Sequence, residues 1–226
     1  MKLKIIKTPA EIDTRLRSFV VVANSETAMK NSINVVKGYG YEIKTLDFWH
    51  KDISCHYNPF KYVHSDQDVC EVADCLFEDS KGIGGMAERQ MFICMLLYLR
   101  RIRSPEKLTF ADVINLPYKE IKINGFQCFD TLNGNGDEAF TKAYCRLKDL
   151  CPVKYIQGTA ISLSVKICLA VPFLDNIFAD DTLGLDDKTI KNEKTAIFLP
   201  DYDDDITFRD FYRLAAMQLE KISQEE

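Results

Sequence analysis

The chain has 226 residues, of which 46% are hydrophobic and 28% charged, values that suit a folded core and exclude a disordered polymer. A formal net charge of −5 excludes a protein whose whole surface tracks nucleic acid, while leaving room for a local basic patch. The longest unbroken apolar run, Met91 to Leu99, falls well short of the ~20 residues a membrane-crossing helix needs.

In chain order, residues 1–17 read as a basic, amphipathic lead-in without the apolar core or cleavage site of a secretory signal. Ser18-Phe19-Val20-Val21-Val22-Ala23 is a short β-branched run. Asn24-Ser25-Glu26 then offers a cap for a helix with Met29, Ile33 and Val36 on one face. Gly38-Tyr39-Gly40 stops that helix, and Tyr41 to Leu46 reads as a second strand. Strand, helix and strand make a βαβ unit, with parallel strands and a right-handed crossover expected.

Asp47 to His64 reads as a polar loop rich in aromatics and histidine, turning at Tyr57-Asn58-Pro59-Phe60. Ser65 to Asp68 has the form of a capping box, and Val69, Val72, Ala73, Leu76 and Phe77 behind it keep helical spacing. Gly82-Ile83-Gly84-Gly85 is expected to break the chain before a helix from Met86 to Arg101. That helix is apolar nearly all round through its middle, as the centre of a helical bundle would be. A short helix is expected at Phe110 to Leu116, irregular chain over 117–136, and helix again from Asp137 to Leu150.

Residues 155–171 give conflicting signals. Ile161, Leu163, Val165, Ile167 and Leu169 alternate with Ser162, Ser164, Lys166 and Cys168, a strand pattern in a segment too long for an ordinary strand. Further on, Thr195 to Leu199 reads as a strand ended by Pro200. Thr207-Phe208-Arg209-Asp210 reads as a capping box leading an amphipathic helix with Phe208, Phe211, Tyr212, Ala215, Leu219 and Ile222 on one face. The order is that of an α/β sheet domain carrying an inserted helical module.

Eight cysteines are scattered without a C-x-x-C pair, and a chain of this size has no need of disulfide staples. A cytoplasmic location is therefore expected. Cys94 and Cys168 lie in apolar runs, where a free thiol behaves as a small hydrophobe.

Candidate sites are few. His50, Cys55, His56 and His64 could suggest zinc, but their spacing fits no common framework, and a loop at the sheet edge accounts for them. Asp201, Asp203, Asp204 and Asp205 precede a helix, where carboxylates favour the dipole; a hard-cation site is the sharper alternative. Asn133-Gly134-Asn135-Gly136-Asp137 fails as a calcium loop because Glu138 stands where glycine is required. Arg100, Arg101 and Arg103 end the buried helix. Complementing its dipole is their default role, and contact with DNA phosphate or an acidic partner is the functional one. No catalytic residue, metal ligand or cofactor-binding residue is assigned.

The series of motifs resembles the type IV secretion coupling proteins, the TraG-like ATPases of conjugative DNA transfer. Ser18 to Val21 with its helix, Gly38-Tyr39-Gly40-Tyr41 and the next strand looks like that family's second sheet strand and crossover. Cys55-His56-Tyr57-Asn58-Pro59-Phe60 looks like its C-Y-N-P-F segment, with His56 as an extra residue. Glu193-Lys194-Thr195-Ala196-Ile197-Phe198, after Leu185-Asp186-Asp187, resembles its D-E-K-T-A-L-F strand. Pro200-Asp201-Tyr202-Asp203 with Thr207-Phe208 resembles its P-D-T-D-x-T-F turn. Order and spacing cover most of residues 18–222.

The resemblance implies a partial parallel sheet with flanking helices, a P-loop NTPase-like remnant, formed by residues 1–64 and 185–226. Between them, 65–184 would be an inserted all-α module, and 155–171 would be helix ending at Pro172-Phe173. The family's phosphate loop, G-x-x-x-x-G-K-[ST], does not occur, and its D-P-K-G-E segment reads Ala23-Asn24-Ser25-Glu26-Thr27. Its downstream metal-site acid would fall past residue 226. The resemblance thus implies a truncated or stand-alone relative: a non-catalytic binding module without a cofactor. Its expected partner is a relaxase, an accessory protein, an intact coupling ATPase, or DNA. The alternative is a divergent nucleotide-binding or hydrolysing domain.

Overall fold

The structure is a computed structural model, and it describes residues 4–6, 12, 15, 18–23, 25–121, 127–170, 178, 180–184, 194–200 and 208–224. The elements, in chain order, are strand β1 (Lys4–Ile6), strand β2 (Ser18–Ala23), helix α1 (Glu26–Lys37) and strand β3 (Glu42–Thr45). Then come helices α2 (Asp66–Leu76), α3 (Gly82–Ile102), α4 (Phe110–Leu116), α5 (Gln127–Gly134), α6 (Glu138–Leu150) and α7 (Val153–Ala170). Strand β4 (Thr195–Pro200) and helix α8 (Arg209–Gln224) complete the described chain. The fold is mixed α/β, and it divides into two compact units, residues 1–59 with 174–226 and residues 60–173.

The first unit is a four-stranded parallel sheet of order β1-β2-β4-β3. The strands of the expected βαβ unit are parallel, but β4 lies between them, with Val20 opposite Ile197 and Ile43 opposite Ala196. A strand flanked on both sides and covered on its faces is expected to be mostly apolar; β4 is apolar from Ala196 to Pro200, and all its residues, Thr195 included, are buried. The 1–17 lead-in contains one element the sequence pattern did not reveal, the three-residue strand β1 pairing with β2. Ser25 caps α1 by accepting from Ala28 N–H, and Met29 and Val36 pack with Phe19, Val21, Ala196 and Phe198. Helix α8 also packs on β4 and buries Phe211, Tyr212, Leu214 and Leu219.

The segment after β3 is not the polar loop expected from its composition. Phe48, Tyr57, Phe60 and Val63 are fully buried, and the Phe48 ring lies 4.5 Å from Tyr212, whose hydroxyl accepts from Phe48 N–H at 2.9 Å. The structural boundaries fall after residues 59 and 173, whereas 64 and 184 were expected. The reason lies in Phe178, Thr182 and Leu183. Phe178 stacks with Phe48 and Phe211, Thr182 and Leu183 N–H donate to His56 C=O, and Lys44 Nζ donates to Leu183 C=O.

The second unit is helical. Met91 to Leu97 are all buried, so α3 is surrounded as its composition demands: α2, α4, α6 and α7 all pack on it. The capping box of Ser65 and Asp68 starts α2, and an analogous Thr109–Asp112 box starts α4. Two expectations are corrected. The glycine cluster does not precede α3 but forms its first turn, with only Gly82 in the left-handed region (φ 77°). The stretch 117–136 is not irregular throughout. Pro117–Ile121 forms a π-helical turn, and α5 is held by fully buried Phe129, whose ring meets Phe140 at 5.3 Å and Tyr144 at 5.7 Å.

The conflict ends in a helix over Val153–Ala170, as the resemblance implied, while the implied end at Pro172-Phe173 lies outside the described residues; geometry explains the alternating pattern. A step of two residues rotates an α-helix by about 200°, so strict alternation lays apolar residues on two opposite faces. Ile156, Ala160, Leu163 and Ile167 are buried, and α7 packs on α3 and α4. Ile161, Val165 and Leu169, at successive four-residue steps, line the other side and are 38%, 46% and 71% exposed.

Candidate functional site

The three arginines singled out in the sequence are placed at the C-terminal end of α3, and each is engaged by a carboxylate. Arg100 donates to Asp66 and to the His64 carbonyl, both at 2.9 Å. Arg101 donates to Asp66 on α2 and to Asp137, the N-cap of α6, tying the starts of two helices together. Arg103 pairs with Asp112 on α4 at 2.6 Å. The Arg101 hydrogen bond holds the Asp137 carboxyl below its ordinary range, and hydrogen bonds to Asp66 and Asp137 raise Arg101 itself. These cations therefore join helices, and their charge is largely compensated before any phosphate arrives.

Sequence reasoning missed a groove beside them. Helices α2 and α6 both lie against α3 and leave between them a cleft of about 310 Å³. Ile93 and Leu97 form its floor, Gln67 and Cys70 one wall, and Ala139, Lys142 and Arg146 the other. The Arg101 bridge joins Asp66, which lines the cleft, to the α6 N-cap; Arg89, also lining it, donates to Asp74 at 2.7 Å. Buried Gln90 fixes the α3–α6 spacing by donating to the Ala143 carbonyl at 3.0 Å. The signal was present in the sequence as the i, i+4 pair Lys142 and Arg146, but only packing shows which helix they face.

In the first unit, a second cavity of about 310 Å³ opens at the carboxyl ends of β2 and β4. Val22, Leu199 and Pro200 line it from the sheet, and Arg209, Tyr212 and Arg213 from the start of α8. The carboxyl edge of a parallel sheet is where ligands of open α/β folds bind.

The histidines are not brought together. His50 Nδ1 lies 2.8 Å from buried Asp47, which also accepts from the Trp49 and His50 N–H groups. His56 Nδ1 contacts Asp180, and His64 N–H donates to Asp68. Burial pushes the Cys55 thiol up. Among the described residues no three His, Cys, Asp or Glu side chains converge as metal ligands, and no helix is long and apolar enough to cross a membrane. The acidic cluster at 201–205 and the Thr207 capping box lie outside the described residues. Cys94 is buried, as its apolar run implied, whereas Cys168 faces outward on α7. No protein-family model matches the sequence, and no curated protein or solved structure is significantly similar to the chain.

Proposed function

We propose that the protein is a non-catalytic binding module related to the type IV secretion coupling proteins, whose helical unit recognises a protein of a conjugative transfer machinery. The observation that carries this reading is the second apolar face of α7. A helix that has already buried one face has no folding reason to present Ile161, Val165 and Leu169 outward, and an exposed contiguous apolar stripe marks an interaction surface. Lys166, on the same helix, is held by Glu88 at 3.2 Å, which steadies the stripe on its scaffold. The replacement of the family's D-P-K-G-E segment by Ala23-Asn24-Ser25-Glu26-Thr27 supports a role in recognition over one in hydrolysis. The test is co-purification of the full chain with the relaxase and accessory proteins of a transfer system. Capture is expected with the parent chain and loss with Val165→Glu/Leu169→Glu; capture of neither protein by the parent chain would sink the reading.

One observation favours a second reading, a divergent nucleotide-binding domain. The cavity at the carboxyl ends of β2 and β4 offers Arg209 and Arg213 to an anionic ligand. Thermal-shift measurements with ATP, ADP and Mg²⁺ decide it, and an unchanged melting curve at millimolar nucleotide ends it.

A further inference from the structure

We infer that the cleft between α2 and α6 is a receptor for an acidic segment of a partner protein, a short peptide whose carboxylates meet Lys142 and Arg146 while an apolar side chain seats against the α3 floor. This site lies on other elements than the α7 face and does not require the coupling-protein reading.

Charge carries the argument. The cations of the helical unit that lie near the cleft are mostly spent: Arg89 on Asp74, Arg100 on Asp66, and Arg101 on Asp66 and Asp137. Lys142 and Arg146 differ. Both line the cleft from α6, both are exposed, and neither has a hydrogen-bond or ion-pair partner among the described residues. They stand one helical turn apart, about 5–6 Å between Cβ atoms, a spacing matched by two carboxylates on one side of a short peptide. The floor beneath them is Ile93 and Leu97, with Ala139 and Cys70 on the walls, so the cleft is apolar below and cationic on one rim.

The same lining argues against nucleic acid. None of the described residues lining the cleft is aromatic, so bases find no stacking platform among them. Arg89, Arg100 and Arg101 are already paired with Asp74, Asp66 and Asp137, so among the described residues a continuous phosphate chain meets two uncompensated cations at the cleft, Lys142 and Arg146, a number that suits a segment with one or two carboxylates. A volume of about 310 Å³ is at the small end of ligand sites, which suits a few side chains and not a bulky cofactor. The walls are pre-built, because the Arg101 bridge and the Gln90 hydrogen bond set the helix spacing before anything binds.

The experiment is selection of a phage-displayed library of short random peptides on the immobilised full chain. Selected peptides are expected to be enriched in Asp and Glu together with Leu, Ile or Phe. A fluorescein-labelled copy of the most enriched one should bind Lys142→Glu/Arg146→Glu at least about tenfold more weakly than the parent. Lys142→Gln/Arg146→Gln, which only removes the charge, should weaken it in the same direction, and circular dichroism checks that both variants fold. Val165→Glu/Leu169→Glu should bind the peptide as the parent does, so loss of partner capture through α7 and loss of this site are separately visible. Selection without acidic enrichment, or binding indifferent to both cation variants, overturns the inference. So does a labelled single-stranded oligonucleotide whose binding depends on the same two cations.

Discussion

Tyr57 and Gln218, separated by 161 positions in the chain, meet in the α/β unit, where the buried tyrosine hydroxyl donates to Gln218 Oε1 at 2.6 Å. The amide of Gln218 then donates to the Pro59 carbonyl at 2.9 Å, so one side chain on α8 holds both ends of the Tyr57-Asn58-Pro59 turn. The turn that the sequence shows as polar punctuation is thus bolted into the core by a satisfied polar pair.

Tyr57→Phe should therefore lower stability by about 1–3 kcal/mol, because it leaves the buried Gln218 oxygen without that partner while removing almost no volume. Urea unfolding of parent and variant measures it. A variant as stable as the parent would show that the hydroxyl pair contributes nothing net.

Two glycines of the helical unit should respond in opposite directions to the same substitution. A Cβ on Gly85 would lie 2.8 Å from the Ser80 carbonyl carbon, a backbone atom that cannot swing aside. Gly85→Ala should destabilise by on the order of 1–3 kcal/mol. Gly158 sits inside α7 with nothing within 4 Å of the added carbon, so Gly158→Ala should stabilise by about 0.5–1 kcal/mol. Thermal unfolding of the pair distinguishes packing from helix propensity.

Local rules carried the elements a long way. The α2 capping box, the amphipathic α6 and the apolar α3 follow from hydroxyl–carboxylate spacing and hydrophobic period alone. What failed was whatever depended on a distant partner. Lys4–Ile6 becomes a strand only because β2 offers an edge, and Phe129 holds a short helix only because Phe140 and Tyr144 receive it. The alternation in α7 was visible but admitted two periods, and only packing on α3 and α4 separates a strand from a helix with two apolar faces. Likewise the arginine cluster was legible as charge, yet its carboxylates, Asp66, Asp112 and Asp137, come from other helices.

Thiol chemistry should sort the cysteines by exposure. Cys145 and Cys168 are exposed and should react with a disulfide reagent in the folded protein. Cys94 is fully buried, and burial pushes its thiol far up, so no thiolate forms there near neutral pH. It should stay silent until urea unfolds the chain. Mass spectrometry of the labelled peptides reads the order, and early labelling at Cys94 would show that α3 opens locally.

The Asp137 carboxyl provides a pH test of the bridge between α2 and α6. Its folded value is depressed below the usual ~3.9, first by the hydrogen bond from Arg101 and further by Phe140 N–H. A depressed carboxylate stabilises the folded state fully above its unfolded pKa, and that contribution is lost as pH falls through the lower folded value. Asp137→Asn keeps a capping side chain but removes the charge. The variant should be less stable than the parent at pH 7, with the gap closing as pH drops below about 4. The Arg101 side chain is partly exposed, so solvent screening keeps the gap small. Urea midpoints at pH 7 and pH 3 are the measurement. A gap that stays constant between them would assign the effect of the substitution to capping geometry and leave the ion pair without a share in stability.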